Sequence, residues 1–158
     1  MFGEKIKRVE DPALLRGKGK YLDDIHLPGM LHAAFVRAPV AHATFSAIDS
    51  SAALAIDGVV AVYTLDDLRP YLTDTVMPVE QPSGALKLSA SPSTLADGEV
   101  RYVGEPVACV IAESPYIAED AAQLVFVDYS NLPVSADYLS ALDDGAATAH
   151  SDFADNLV

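Results

Sequence analysis

The most constraining feature of this sequence is an apolar run in its second half. Val107–Ala112, with the sequence VACVIA, contains six apolar residues and no polar alternation. A strand with one face in water would alternate apolar and polar residues, because successive side chains point to opposite faces of a sheet. The run therefore predicts a strand that is buried on both faces.

A helix is predicted directly after this strand. Ser114 precedes Pro115, which is typical of a helix start, since the hydroxyl caps a free backbone N–H and proline gives up a donor that was unpaired anyway. The apolar residues that follow share one helical face: Ile117, Ala118, Ala121, Ala122 and Val125. The chain returns as Val125–Tyr129, which has strand composition. About ten residues of helix between two strands is long enough for a crossover packed on a sheet.

Three segments with strand composition precede this unit: Met30–Arg37, His42–Ile48 and Val59–Thr64. Asp49 predicts the cap of a short helix that runs to Ile56, and Gly58 suits the left-handed residue that ends it. Thr64 with Asp67 three residues later is typical of a capping box for one helical turn. The predicted order here is strand, strand, helix, strand.

The rest of the chain has weaker signals. Residues 73–99 contain several prolines and serines, which predicts a long loop with a short strand around Ala85–Leu88. A loop of this length is unusual in a compact domain unless it is functional or covers a partner. Residues 136–142 are predicted to form a helical turn. Three parts are therefore predicted along the chain: an N-terminal arm at residues 1–29, a core at residues 30–142 and a C-terminal linker at residues 143–158.

Charge excludes one class of partner. The chain has 158 residues, enough for one domain, and a formal net charge of −13. Residues 1–20 carry +3 and residues 21–158 carry −16. The acidic body argues against nucleic acid, whose phosphates it would repel. The basic arm predicts either a segment that lies against a partner subunit or a solvated tail.

The sequence also predicts a cytoplasmic protein without a membrane span. No apolar run approaches the roughly 20 residues that cross a bilayer, and Met1–Arg8 has no apolar signal region. Cys109 is the single cysteine, so an internal disulfide is excluded. Because Cys109 lies inside the apolar run, it is predicted to be an inert core residue rather than a nucleophile.

No metal site is predicted from the four histidines, which are His26, His32, His42 and His150. None of them pairs with a carboxylate in a metal-ligand pattern. His32 and His42 lie on neighbouring predicted strands and could meet in space. Polar contacts at a strand surface are the preferred interpretation.

Two short motifs allow a functional and a structural interpretation. The Gly-rich segment Arg16–Lys20 fits neither a phosphate loop nor a dinucleotide fingerprint, and predicts a tight turn before an extended segment. Val103–Pro106, with the sequence VGEP, either aims Glu105 at a partner or substrate channel or forms a rigid turn into the central strand, which we favour. Ser114 lacks the glycines of a nucleophile elbow and is a helix cap. No catalytic, cofactor-binding or metal-binding residue is predicted in this chain.

An ordered set of motifs resembles the large subunit of the molybdenum hydroxylases, which include xanthine dehydrogenase, aldehyde oxidase and carbon monoxide dehydrogenase. The motifs follow each other in the family's order: Arg8–Pro12, Leu14–Tyr21, Leu27–His32, Val36–Ala43, Gly58–Val62 and Val103–Ala108. The resemblance runs from about Lys7 to Asn156 and corresponds to the N-terminal a/b hammerhead domain. It implies an α+β fold, with a mixed sheet and two or three short helices. The sequence of the N-terminal motifs is most similar to that of bacterial carbon monoxide dehydrogenase-type large subunits.

The resemblance also implies a role within a larger oxidoreductase. Such subunits bind a molybdenum–pyranopterin cofactor and hydroxylate aldehydes or N-heterocycles, or oxidise carbon monoxide. Electrons leave through iron–sulfur clusters and FAD on other subunits or domains. The implied partners are the remainder of the large subunit and the iron–sulfur and flavin subunits, and the isolated chain is expected to be inactive. The alternative is a free-standing small-molecule-binding or protein-interaction module that uses the Val103–Pro106 turn.

Overall fold

The computed structural model describes residue 3 and the ranges 8–77 and 91–157. The chain divides into two compact units, Met1–Met30 and Leu31–Val158. The predicted short strand at Ala85–Leu88 lies outside the described residues. None of the helices in the described ranges has the length and apolar character that a bilayer crossing requires.

In its described residues, the first unit contains one short helix and a turn. Helix α1 (Asp11–Leu14) begins with Pro12 in its first turn and is followed by Gly17 at φ +64°. This positive φ belongs to the tight turn that the Gly-rich segment predicts, and non-helical backbone follows it. A single 3-10 turn at Leu22–Asp24 completes the unit, where the Tyr21 N–H donates to the Asp24 carboxylate over 2.9 Å.

The second unit contains the remaining described helices and strands. Its strands are β1 (His32–Arg37), β2 (Ala43–Asp49), β3 (Val59–Tyr63), β4 (Glu99–Val100), β5 (Pro106–Ala112) and β6 (Phe126–Asn131). Its helices are α2 (Ser51–Leu54), α3 (Leu65–Leu68) and α4 (Pro115–Ala122), with a 3-10 turn at Arg69–Tyr71 after α3. The predicted α+β class with short helices is confirmed.

The strands of the described chain form two antiparallel sheets. The first has the order β1–β5–β3 and the second has the order β4–β2–β6. In the first sheet, Phe35 lies opposite Cys109, and Cys109 lies opposite Tyr63. The apolar run is therefore the central strand of its sheet, as its composition indicates.

Helix α4 covers one face of the first sheet. The Ser114 hydroxyl accepts a hydrogen bond from the Ile117 N–H over 3.2 Å, which confirms the predicted cap. The helix packs on β1 and β5, and Ala118 and Ala121 are fully buried. The chain then leaves for β6 in the second sheet, so the helix joins two sheets and does not return to the first one.

Burial of β5 differs from the prediction. Ala108, Val110 and Ala112 are fully buried on the face that α4 covers, whereas Cys109 and Ile111 on the other face are half-buried. The expectation of burial on both faces is therefore wrong for this half of the strand within the described residues. Val107, at the start of the strand, is fully buried.

Of the two predicted helix caps near β3, Thr64 caps α3 as expected, whereas the N-cap position of α2 is Ser50 and not Asp49. The Asp67 carboxylate accepts hydrogen bonds from the Thr64 N–H and hydroxyl, each over 2.8 Å, which confirms the capping box of α3. The Asp49 carboxylate accepts from the Ser51 N–H over 2.9 Å at the start of α2. That helix ends at Leu54, two residues before the predicted end. Residues 138–142, in the predicted helical turn, form turns without a helix.

One core lies between the two sheets and the helices α2 and α4. Its buried members come from both sheets and from the connections: Val36, Ala38, Ala43, Ala53, Ala96, Val100, Val107, Ala108, Val110, Ala121 and Val125. Small side chains dominate this set. Because these side chains are small, α4 must lie close to the sheet for the core to be closely packed.

Gly58 is a position where replacement has a definite expected cost. Its φ is +88°, and an added Cβ would lie 2.8 Å from the Ile117 Cδ1 atom of α4. Gly58→Ala is expected to lower the free energy of unfolding by about 1–2 kcal/mol from backbone strain, and by more if Ile117 fails to move. Urea unfolding measures the change.

Gly98→Ala is the matched control, because Gly98 has φ +69° and no atom within 4 Å of the added Cβ. The two variants share the strain, so the difference between them isolates the contact with Ile117. Equal stabilities would show that this contact does not constrain α4.

Candidate functional site

Buried titratable side chains mark one place in the second unit. Among the described residues, His42 and Glu99 are each 6% exposed and Glu105 is 4% exposed. Burial of ionised groups is costly unless they are paired and hydrogen-bonded. Arg101 bonds to both glutamates, and we call these four residues the buried charge network.

Strand pairing brings the network together. Ala43 of β2 lies opposite Val100 of β4, which places His42 beside the two charged residues that flank Val100. The 102–105 turn is held against the end of β1 by two backbone bonds. The Gly104 N–H donates to the Ala38 carbonyl over 2.8 Å, and the Ala38 N–H donates to the Glu105 carbonyl over 2.9 Å.

Both ring nitrogens of His42 face hydrogen-bond acceptors. Its Nδ1 lies 2.7 Å from the Pro133 carbonyl oxygen, and its Nε2 lies 2.8 Å from the Glu99 Oε1. A carbonyl oxygen only accepts hydrogen bonds, so Nδ1 carries a proton. The charge on Glu99 then decides whether Nε2 is a donor as well.

Glu99 is held in its ionised form by its partners. Burial alone would raise its pKa, but hydrogen bonds from His42 and Ser151 and the charge of Arg101 outweigh burial, so the pKa lies below its usual value. Its Oε1 accepts from the Ser151 N–H over 3.0 Å, and its Oε2 accepts from the Arg101 guanidinium over 2.8 Å. The Nε2 of His42 lies 2.8 Å from the Oε1 of this ionised carboxylate.

The pKa of Glu105 is shifted in the opposite direction to that of Glu99. Burial is the largest effect and raises its pKa, while the backbone N–H of Arg101 bonds to the carboxylate. Burial, followed by the charge of Glu105, also raises the pKa of Tyr129. The Glu105 side chain is thus turned inward and used by its own turn, which fits the rigid-turn interpretation of Val103–Pro106.

The network also fastens the C-terminal segment to the core. Ser151 and Pro133 contribute backbone groups to Glu99 and His42, and the Leu132 N–H donates to the His42 carbonyl over 3.0 Å. His150 stacks on Phe153 with ring centroids 4.7 Å apart. Burial, followed by the charge of Arg101, lowers the pKa of His150.

Asn156 binds the C-terminal segment together from within. Its side-chain amide donates to the Ala141 and Ala147 carbonyls over 2.8 Å each, and its Oδ1 accepts from the Ala149 N–H over 2.8 Å. The segment that the sequence indicates as a polar linker is therefore bonded internally through Asn156 and to the network through the Ser151 N–H.

Neither His32 nor His26 is a member of the buried charge network. His32 is half-buried in β1, which belongs to a different sheet from β2, so the suggested meeting of His32 with His42 does not occur. His26 is exposed in the first unit. Cys109 is half-buried and is therefore not the core residue that was predicted, although burial raises the pKa of its thiol.

Sequence reasoning named Glu105 and His42 but not Glu99 or Arg101, and it did not connect any of the four residues. Glu99 fell at the end of the predicted loop 73–99, although it begins β4. The available signal was the pattern Glu99-Val100-Arg101, in which opposite charges flank a valine that the structure buries completely. Its partner His42 is 57 residues away in the sequence, which no local pattern indicates.

Two small antiparallel sheets joined by a helix over one core define an α+β domain whose buried polar centre connects its parts. The model of the aldehyde oxidase and xanthine dehydrogenase a/b hammerhead domain matches residues 16–133. The chain belongs to this family.

Two relatives illustrate the sequence similarity. The carbon monoxide dehydrogenase large chain of Afipia carboxidovorans is 43% identical over 156 residues, covering 99% of this chain and 18% of the relative. The nicotine 6-hydroxylase large subunit of Paenarthrobacter nicotinovorans is 40% identical over 157 residues, covering 99% of this chain and 19% of the relative.

Solved structures agree with this assignment. Quinoline 2-oxidoreductase from Pseudomonas putida 86 superposes with a TM-score of 0.84 at 38% identity, covering 98% of this chain and 19% of that chain. Carbon monoxide dehydrogenase from Oligotropha carboxidovorans superposes with a TM-score of 0.79 at 44% identity, covering 92% and 17%. This chain thus spans about a fifth of the length of the proteins it matches.

The family implies a molybdenum cofactor, and the described residues do not fit one. Within residues 8–77 and 91–157, no three His, Cys, Asp or Glu side chains converge into a group that could hold a metal ion. His42 and Glu99 are bonded to each other and to the C-terminal segment. No cofactor contact is therefore assigned to these residues, and no reaction step is derived through them.

Proposed function

We propose that this chain is the hammerhead domain of the large subunit of a molybdenum hydroxylase, with a structural and assembly role. The match across residues 16–133 supports the proposal, because the matched relatives include large chains of carbon monoxide dehydrogenase and nicotine 6-hydroxylase. The whole subunit would hydroxylate an aldehyde or N-heterocycle, or oxidise carbon monoxide. Its molybdenum cofactor would lie outside the described residues, and iron–sulfur and flavin subunits would be its partners.

The buried charge network supports the structural role within this domain. Its hydrogen bonds connect β2, β4, the 102–105 turn and the segment from Leu132 to Ser151. Such a centre fixes the path of the chain beyond β6. Burial of Glu105 also removes the side chain on which a free-standing small-molecule binder would depend.

Metal analysis of the chain, purified gently with a tag from its native host, tests the proposal. Molybdenum and iron are expected to co-purify with it, and intact mass analysis is expected to show larger polypeptides in the same fraction. A clean species of 16.7 kDa without metal would contradict the proposal.

A further inference from the structure

One face of the first sheet is apolar and is not covered by α4. Phe35 of β1 lies opposite Cys109 of β5, and Cys109 lies opposite Tyr63 of β3, so the three side chains share a face. In the same register, Ala33 and Ala61 lie opposite Ile111 and share this face. We call this set the outer sheet face: Ala33, Phe35, Ala61, Tyr63, Cys109 and Ile111.

Large apolar side chains on the outer sheet face are in contact with solvent. Phe35 is 48% exposed and Tyr63 is 42% exposed. Helix α4 packs on the opposite side of β5, where Ala108, Val110 and Ala112 are fully buried. A contiguous apolar patch of this kind is a mark of an interaction surface.

The sequence of β5 supports the same conclusion independently. Val107–Ala112 is apolar at every position, which is the pattern of a strand with protein on both faces. The described residues cover one face beyond Val107 and leave Cys109 and Ile111 half-buried. The composition of β5 therefore fits a strand whose outer face also packs against protein, and the described residues do not supply that second packing surface.

Charge indicates which kind of protein surface could pack on the outer sheet face. The chain carries 23 acidic residues, yet none is among the six positions of the outer sheet face. The nearby cation, Arg37, lies 5.6 Å from the Phe35 ring centroid and donates to the Gly104 carbonyl over 2.8 Å. A net charge of −13 on each chain would make two copies repel one another, which disfavours self-association through this face.

We propose that the outer sheet face is the docking surface for an apolar surface of the remainder of the large subunit. This inference rests on the proposed function, because the matched relatives are about five times longer than this chain and supply such a remainder. The aromatic residues Phe35 and Tyr63 are the expected anchors, since aromatic side chains contribute much of the energy at buried interfaces.

Cys109 is a built-in probe of this surface, because it is the single cysteine of the chain and lies at the centre of the outer sheet face. Maleimide labelling at alkaline pH, read on the Cys109 peptide by mass spectrometry, compares the molybdenum-bearing assembly with the 158-residue chain alone. We expect labelling to be at least about tenfold slower in the assembly. Tyr116→Cys on α4 is the matched control, because Tyr116 is 78% exposed on the other side of the sheet, and its labelling should be unchanged.

Two substitutions test the same surface by its effect on assembly. Phe35→Asp and Tyr63→Asp place a carboxylate on the outer sheet face, and each is expected to reduce the yield of molybdenum-bearing assembly about tenfold or more. Tyr116→Asp should leave that yield unchanged. Circular dichroism of each variant chain alone separates loss of docking from loss of folding.

The outcomes separate this inference from the proposed function. Equal labelling of Cys109 in the chain alone and in a molybdenum-bearing assembly would overturn the docking surface and leave the proposed function intact. A dimeric chain alone with protected Cys109 would show that a second copy is the occupant and would also overturn it. The absence of any molybdenum-bearing assembly would overturn the proposed function and this inference together.

Discussion

Glu99→Gln is expected to lower the free energy of unfolding by about 3–5 kcal/mol, the range observed when one partner of a buried ion pair is removed. The carboxylate of Glu99 lies between two hydrogen-bond partners, with His42 Nε2 at 2.8 Å and the Arg101 guanidinium at 2.8 Å. Glutamine keeps the shape of the side chain but not its charge. The partly buried Arg101 guanidinium would then face a neutral amide, and one hydrogen-bonding position of that amide would present a donor to a donor.

Urea unfolding at neutral pH measures this effect, with Asp97→Asn as the matched control. Asp97 accepts a hydrogen bond from Arg69 over 2.6 Å, but both side chains are about half exposed to solvent. Exposed pairs contribute little, so the control should unfold at nearly the same urea concentration as the parent chain. Similar stabilities of Glu99→Gln and Asp97→Asn would contradict a stabilising role of the buried charge network.

The same prediction has a defined pH dependence. The pKa of Glu99 in the folded chain lies below 4.5, its value without these partners. The ionised form is therefore favoured by folding, and its contribution is complete above pH 4.5 and is lost as the pH falls through the folded pKa. The stability difference between the parent chain and Glu99→Gln should accordingly shrink in acid. A difference that grows below pH 4.5 would contradict the assignment of a charged Glu99.

Local signals were sufficient for several of the individual elements. The continuous apolar run predicted β5, and the Ser114-Pro115 pair predicted the start of α4, because strand burial and helix capping depend on adjacent residues. Gly58 at φ +88° and the Thr64–Asp67 box were predicted for the same reason.

Relations between distant segments were not available from the sequence. β5 and β6 belong to different sheets, and nothing in the composition of either strand distinguishes this arrangement from a return to one sheet. Likewise, His42 and Glu99 come within hydrogen-bond distance because β2 pairs with β4, and no local sequence pattern predicts that register. The sequence therefore indicated single members of the network, such as Glu105 in its turn, but not the contacts between them.

The difference between the predicted and observed burial of β5 is informative in itself. A continuous apolar run is typical of a strand with protein on both of its faces. Cys109 and Ile111 are therefore places where composition indicates more burial than the described residues provide. The same reasoning predicts that the opposite face, under α4, tolerates no additional volume.

Ala118→Leu is expected to lower the free energy of unfolding by about 1–3 kcal/mol or more, because it adds volume to a closed contact. Ala118 is fully buried where α4 lies on β1 and β5, and the facing Ala108 and Ala112 are fully buried as well. Alanine and leucine have similar helix propensities, so the cost comes from packing and not from the helix itself. Urea unfolding with an unchanged m value would show a loss of stability without a change in the surface exposed on unfolding.

Ala122→Leu makes the same substitution one helical turn later and is the matched control. Ala122 is only partly buried and lines an open groove of about 590 Å³ between β1, α4 and β6. A larger side chain there extends into the groove, so the free energy of unfolding should remain close to that of the parent chain. Equal destabilisation by both variants would mean that α4 is held at a fixed distance along its whole length. A neutral Ala118→Leu would instead mean that the helix moves outward freely and that small residues do not determine its position on the sheet.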